Sequence, residues 1–346
     1  MYCKLILLLG LLIGSSIKAQ QNYSDTTCVS EEYCSCNKYE VPAGVMISHT
    51  HMKGEWMVSY RMMRMNMSGL LEGSQAINAT DVLLNYRTSP DLMQMDMHML
   101  MLMYGLSDKI TLMGMFHYTS NYMEMTMPSG TKFHRHSMST NGLGDMKLYV
   151  LWSVIKKSEK EFLLSMGLNL PFGSINAQGA QHSAMYADQR YPYDMQLGSG
   201  SFDLMPSLSY IQKKNRITWS VQLGSILRPY YNSNEYKLGN ELNFNAWTSL
   251  KWLRVISSSL RAEFLYSDKI NGRDPSLNSC EEIAANPSNY GGLQAFIHLG
   301  SSLNGKRGFL KKNRLSFEYG LPFFQKLNGL QMPTKNLFTT SWSLTF

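Results

Sequence analysis

A chain of 346 residues, 44% hydrophobic but only 16% charged, is long enough for one large barrel and carries far fewer charges than an ordinary soluble domain. Its mean hydropathy of −0.22, with no apolar run of spanning length after the N-terminus, excludes a helical membrane protein, while 26 Gly, 20 Tyr and 14 Phe suit a barrel with one apolar and one polar face. The net charge of +7 is scattered rather than gathered in an aromatic-interleaved stripe, so no nucleic-acid partner is expected.

The chain opens on MYCKLILLLGLLIGSSIKAQ: a basic start at Lys4, then an apolar run over 5–13 that is too short to span, then a stretch of mostly small residues up to Ala19. This is the pattern of a secretory signal peptide over 1–19, cleaved after about Ala19. Residues 20–45 read as a polar, cysteine-containing extension in the periplasm, and residues 46–346 as an outer-membrane barrel. Cys28, Cys34 and Cys36 are spaced C-x5-C-x-C. Export favours disulfides, three close thiolates also suit a soft metal, and the spacing is not a zinc spacing. Two H-x-H pairs follow, His49 with His51 and His134 with His136, and on a strand each pair shares a side.

From about residue 55 the chain alternates with period two. Between Met46 and Met146 it places 20 of its 26 methionines. Met63, Met65 and Met67 form one row, Met123, Met125 and Met127 another, and the longest holds every second position from Met93 to Met103. A helix would scatter these side chains, whereas a strand puts each row on one face. Leu100, Leu102 and Tyr104 are natural lipid contacts, which turns the long row inward; in KITLMGMFHY the same parity turns Met113, Met115 and His117 inward. The opposite parity, with Gln94, Asp96 and His98 in the lumen and the methionines packed against lipid, is also self-consistent. The expected solute path is Met93, Met95, Met97, Met99, Met101, Met103, Met113, Met115 and His117. Thioethers are soft ligands, so a copper ion is the one cofactor considered, with Met97, Met99, His98, His49, His51, Cys34 and Cys36 as candidate ligands.

Further alternating segments follow at 162–170, 217–223, 260–266, 293–299 and 314–319, each with an apolar face opposite small or polar residues. A soluble sandwich also alternates, but its polar face would hold more Lys and Glu. The count is about twelve strands, give or take two, in an all-β, antiparallel up-and-down transmembrane barrel. Longer loops are expected at 66–91, 128–144, 171–201, 228–244 and 268–290, with Tyr186, Tyr191 and Tyr193 ordering the third over the mouth. The final segment sets Phe338, Thr340, Trp342, Leu344 and Phe346 against Thr339, Ser341, Ser343 and Thr345. It resembles the terminal strand of outer-membrane barrels, which implies recognition of Phe346 by the barrel assembly machinery.

The stretches MISHTHMKGEWMVSYRMMRMNMSG, MQMDMHMLMLMYGLSDKITLMGMFHY, GLGDMKLY, LPFGSI and FEYGLPFFQKLNGLQM, together spanning about residues 46–332, resemble a family of bacterial outer-membrane barrels labelled for the meta-pathway of phenol degradation. The resemblance implies an outer-membrane location in a Gram-negative bacterium and a transport role, and supplies neither a substrate nor binding residues. His298, Ser316 and Glu318 share an inward parity, but wet barrels all line their lumens with such residues, and no nucleophile elbow, phosphate loop or dinucleotide fingerprint occurs. The expected function is therefore not enzymatic. It is a channel or transporter for a small solute, hydrophobic or aromatic or linked to copper. The alternative is a Met/His-rich protein that binds or sequesters copper without conducting.

Overall fold

The computed structural model describes residues 39–129, 132–179, 189–305 and 312–346. The signal peptide, Cys28, Cys34, Cys36 and Tyr186 lie outside them. Twelve strands form the wall: β1 Trp56–Ser68, β2 Ser89–Gly105, β3 Ile110–Ser129, β4 Met146–Lys156, β5 Lys160–Leu170, β6 Asp203–Lys214, β7 Ile217–Ile226, β8 Glu241–Lys251, β9 Ile256–Ser267, β10 Gly292–Asn304, β11 Asn313–Gln331 and β12 Thr334–Thr345. Each pairs antiparallel with its sequence neighbour, and β12 pairs with β1 from Met57↔Thr345 to Met67↔Thr334, so the sheet closes and has no free edge. Closure lets neighbouring strands take up one another's backbone polar groups, the condition for crossing a bilayer with strands. The upper half of β3 pairs with residues 132–143 as a long hairpin, while only its lower part, 110–115, pairs with β4.

Connections at one end are short: 106–109, 157–159, 215–216 and 252–255. At the other end four are long, at 69–88, 171–202, 227–240 and 268–291, while β11 and β12 are joined by 332–333 alone, and a hairpin of Leu70–Gly73 and Gln75–Ile77 leans on the end of β11.

The wall's two faces follow from the period-two pattern. Outward stand Leu100, Leu102, Leu112, Phe116, Val150, Trp152, Val221, Phe244, Ile297, Leu299, Phe317 and Trp342, all exposed, as a lipid-facing band must be. Aromatic residues gather near the short-turn end, where Trp56 and Tyr104 pack at 4.6 Å and Tyr210 and Trp219 at 5.4 Å. The outer face of β1 to β3 then changes character part-way up. Beyond Leu100 come His98, Asp96 and Gln94, and beyond Tyr118 come Ser120, Tyr122 and Glu124. These side chains pair along the outside: Arg64 holds Asp96 through two hydrogen bonds at 2.6 and 2.7 Å, and Tyr60 meets His98 at 2.7 Å. Such a belt belongs to water or headgroups, so these three strands rise out of the apolar band.

Residues 39–55, which precede β1, run inside the barrel at the short-turn end. Glu40 binds Lys251 of β8, Asn304 of β10 and Ser257 of β9 at 2.7, 2.9 and 3.1 Å. The Gly44 amide donates to Glu318 of β11, Arg61 of β1 donates to the Val45 carbonyl, and Gln222 of β7 donates to that of Ile47. The His51 amide donates to Thr111 of β3 at 2.8 Å. These anchors are spread around the circumference, so the segment fills the lower lumen. Gly105 has no room for a Cβ, which would run into the Met52 carbonyl. Residues 39–45, the end of the stretch read as a polar extension, lie against the inner wall, where the Glu40 carboxylate is matched to polar groups of three strands.

Candidate functional site: a methionine-lined lumen

β1, β2 and β3 carry their methionines in register. Across the ladders Met57 faces Met103, Met63 faces Met97, Met65 faces Met95 and Met67 faces Met93. On the other side of β2, Met93 faces Met123, Met101 faces Met115 and Met103 faces Met113. All share the inward parity. The result is a column of thioethers running the height of the lumen. Its lower part is a buried cluster of Met57, Met99, Met101, Met103, Met113 and Met115 with Ile47, Tyr149 and Met205. Its upper part joins Met93, Met123, Met125 and Met138 to Tyr191 and Met195 of the 171–202 connection. The unbranched thioether fills irregular gaps and makes polarizable contacts, as where the Tyr149 hydroxyl lies 3.2 Å from Met205 Sδ.

Facing this column is a charged wall on β8 to β11. Arg261 donates to Glu318 at 2.7 Å, Asn245 at 2.7 Å and Glu263 at 2.9 Å. Glu263 also accepts from Asn243 at 2.7 Å and meets His298 at 3.0 Å. A buried arginine among carboxylates is tolerable because its Nε and Nη1 donors are matched and two carboxylates face its charge. His298 and Glu318, with the inward parity read for them, are parts of this ion-pair network, and Ser316 accepts from Arg314 at 3.2 Å. Between the two walls lies a cavity of about 640 Å³, touched by Met63, Met65, Met67, Met93, Met95, Met97, Met99, Met115 and His117 on one side and Arg61, Asn245, Arg261, Glu263 and His298 on the other.

Both ends of the cavity are covered. Below lies the 39–55 segment. Above, the 171–202 connection folds in: Thr140 donates to the Met195 carbonyl at 2.7 Å, and Tyr193 packs against Tyr236 at 4.7 Å and Tyr290 at 5.6 Å. Asp194 lines the cavity from this cover, and its Oδ1 is buried without a hydrogen-bond partner. Burial, with the charge of Glu282 adding to it, raises its carboxyl to about 7.

The side wall is thin at one place. The β6–β7 ladder ends at Ser207↔Gly224 and resumes only with the single bridge Leu204↔Leu227. Pro206, in the interval, has no N–H to give. Pro206, Ser207, Gly224 and Ser225 line both the lumen cavity and an apolar groove on the outer face beside Trp152, Leu164, Met166 and Leu208. Nothing in the alternation of β6 signalled this gap; Pro206 within an otherwise regular strand was the available cue.

The expected solute-path residues thus come together on one wall, with Met101, Met103 and Met113 packed behind its lower part. The expected copper ligands do not all converge. His98 lies on the outer face against Tyr60, whereas its neighbours Met97 and Met99 face the lumen, because adjacent strand residues point to opposite sides. Cys34 and Cys36 fall outside the described residues. His49 and His51 lie in the inserted segment, 5.0 Å apart ring to ring. Cys280 is exposed and unpaired.

A closed antiparallel barrel of twelve strands with an apolar outer band has the architecture of outer-membrane barrels. Comparison with solved structures agrees on the fold: the chain is similar to the COG4313 outer-membrane channel from Pseudomonas putida F1, with a TM-score of 0.59 and 12% identity over 89% of this chain and 100% of that one. More distant likenesses are to the KdgM porin, at a TM-score of 0.40 and 10% identity over 84% of this chain and 99% of that one, and to the toluene transporter TodX of P. putida, at 0.44 and 9% over 85% and 90%. No family model matches the chain, and no curated protein matches it.

Proposed function

We propose that this protein is a channel of the Gram-negative outer membrane that passes a small solute with apolar or polarizable character, and that it is not an enzyme. The carrying observation is the column of thioethers along one side of the lumen cavity opposite a charged wall. Methionine offers a sliding solute weak contacts at every step and no deep binding site. The charges of that wall are paired with one another, Arg261 with Glu263 and Glu318, so it orients a polar substituent without trapping an ion. With the lower end filled by residues 39–55, the route for an apolar solute is the thin wall at Pro206 and Gly224, which leads from the lumen to the lipid-facing groove. The signal peptide over 1–19, the assembly role of Phe346 and the phenol-pathway family belong to the same reading. So does the similarity to a channel from P. putida, as an analogy of fold.

The test is uptake of small aromatic solutes and of charged sugars into liposomes containing the purified barrel, beside planar-bilayer conductance. The expected outcome is faster entry of the aromatic solutes with low ionic conductance. Entry equal to that of empty liposomes for every solute would end the channel reading.

A further inference from the structure

The inserted segment carries the sequence SHTHM, whose imidazoles the solute path does not use. His51 is wholly buried, and its Nδ1 lies 3.1 Å from Glu55 Oε2. His49 Nδ1 lies 2.9 Å from Ser48 Oγ. The rings stand edge to face with centroids 5.0 Å apart. Both Nε2 atoms are buried and have no hydrogen-bond partner among the described residues. A carboxylate that accepts the Nδ1 proton leaves the lone pair on Nε2 and fixes the ring's orientation, as it does for metal-bound histidines. Two buried ring nitrogens without partners are costly unless something takes their lone pairs.

The inner wall next to this segment carries sulfur. The His51 amide is held by Thr111, whose cross-strand partner Gly105 presses against the Met52 carbonyl. The next inward pair on the same ladder is Met103 and Met113, and Met57 stands beyond Met103 on β1. The three are 1, 3 and 7% exposed, and Ile47 of the inserted segment packs in the same cluster. Among the described residues, no group of three His, Cys, Asp or Glu side chains is set to hold a metal, so the donors on offer here are two imidazoles and thioethers.

We propose that His49 and His51, with thioethers from Met57, Met103 and Met113, hold one monovalent copper ion at the foot of the methionine column. Thioethers select Cu(I), hard cations lack the oxygen ligands they need here, and structural zinc would want thiolates or more imidazoles. Two imidazoles bound through Nε2 at about 2.0–2.1 Å, spread at a roughly tetrahedral angle, have centroids about 5 Å apart, as this pair does. The site goes beyond the channel reading, since it requires the segment to be seated in the lumen and not that anything pass.

The experiment is anaerobic Cu(I) titration of the purified full-length barrel in detergent against a chromophoric chelator, with the folded state of each variant read from the mobility of unheated samples on gels. The wild type should bind one ion at this site. Affinity should fall at least tenfold in the His49→Ala/His51→Ala and Met103→Leu/Met113→Leu variants, and about 10- to 100-fold in Glu55→Gln. Met93→Leu/Met123→Leu, at the far end, should leave it unchanged. X-ray absorption of the loaded protein should show nitrogen and sulfur neighbours together. Should the alanine pair fail to fold, His49→Gln and His51→Gln singly carry the same expectation. Wild-type affinity no higher than that of the histidine variants, a loss confined to the far-end pair, or a copper shell without sulfur would each overturn the proposal.

Discussion

The Thr50 hydroxyl donates to Glu161 Oε1 at 2.7 Å and the Thr50 amide reaches the same oxygen at 3.3 Å, both residues wholly buried. A lumen segment is thereby tied to the short-turn end of β5, 111 residues along the chain. Glu40 is the matching anchor across the barrel. Burial alone would raise its carboxyl, but Arg314 and Lys251 hold it below its ordinary value.

Releasing these anchors should open the lower lumen. Glu40→Ala leaves Lys251 and Arg314 facing a buried gap, a cost of about 3–5 kcal/mol by analogy with broken buried ion pairs. Together with Glu161→Ala it should raise single-channel conductance several-fold in planar bilayers. Gly105→Val should do the same by displacing the Met52 carbonyl. Conductance equal to the wild type in both would mean that the segment does not obstruct the lumen.

The thin wall at β6–β7 invites a blocking substitution. A Cβ at Gly224 would lie 3.5 Å from the Ser207 Cβ, ordinary contact distance, so Gly224→Leu fits and projects into the gap. Aromatic-solute uptake should drop several-fold while ionic conductance holds. If uptake is unaffected, solutes leave by another route.

Acid should tighten the upper cover. The Asp194 carboxyl sits near 7 in the folded protein, above the ordinary value of about 3.9. Between those pH values the docked loop keeps a proton that the undocked loop has released, so docking weakens as pH rises through about 4 to 7. Hydrogen exchange at residues 189–202, corrected for its intrinsic pH dependence, should be slower at pH 5 than at pH 8, and in Asp194→Asn it should be slow at both. Equal protection at the two pH values in the wild type would contradict this.

The boundary on β2 gives a depth test. Leu102→Arg, within the apolar outer face, should cost about 2–4 kcal/mol of folding free energy in lipid vesicles, whereas Gln94→Arg, on the polar belt, should cost about 0–1. Similar losses at both would place Gln94 in the bilayer. Met95→Leu and Met97→Leu should each cost under about 1.5 kcal/mol, because volume is nearly conserved.

Much of this architecture was readable in the chain because alternation is local. Whether Leu100 or Met101 meets lipid depends on their chemistry and on a period of two, so both faces of the barrel, the inward methionines and roughly the strand number follow from neighbours in sequence. The alternative parity of β2 stayed open because Gln94, Asp96 and His98 look like lumen residues. Only the folded barrel sets them outside, above the apolar band and paired with Arg64 and Tyr60 of β1. The lumen segment was also illegible: residues 39–55 have no period, and their anchors, from Glu161 to Glu318, are distant in sequence and meet them only when the barrel closes. The local pattern therefore determined which side of the wall most residues occupy. What fills the interior, where the wall gapes at Pro206, and that Ile47 of the lumen segment comes to pack with Met103 and Met113 were decided by contacts that exist only in the tertiary structure.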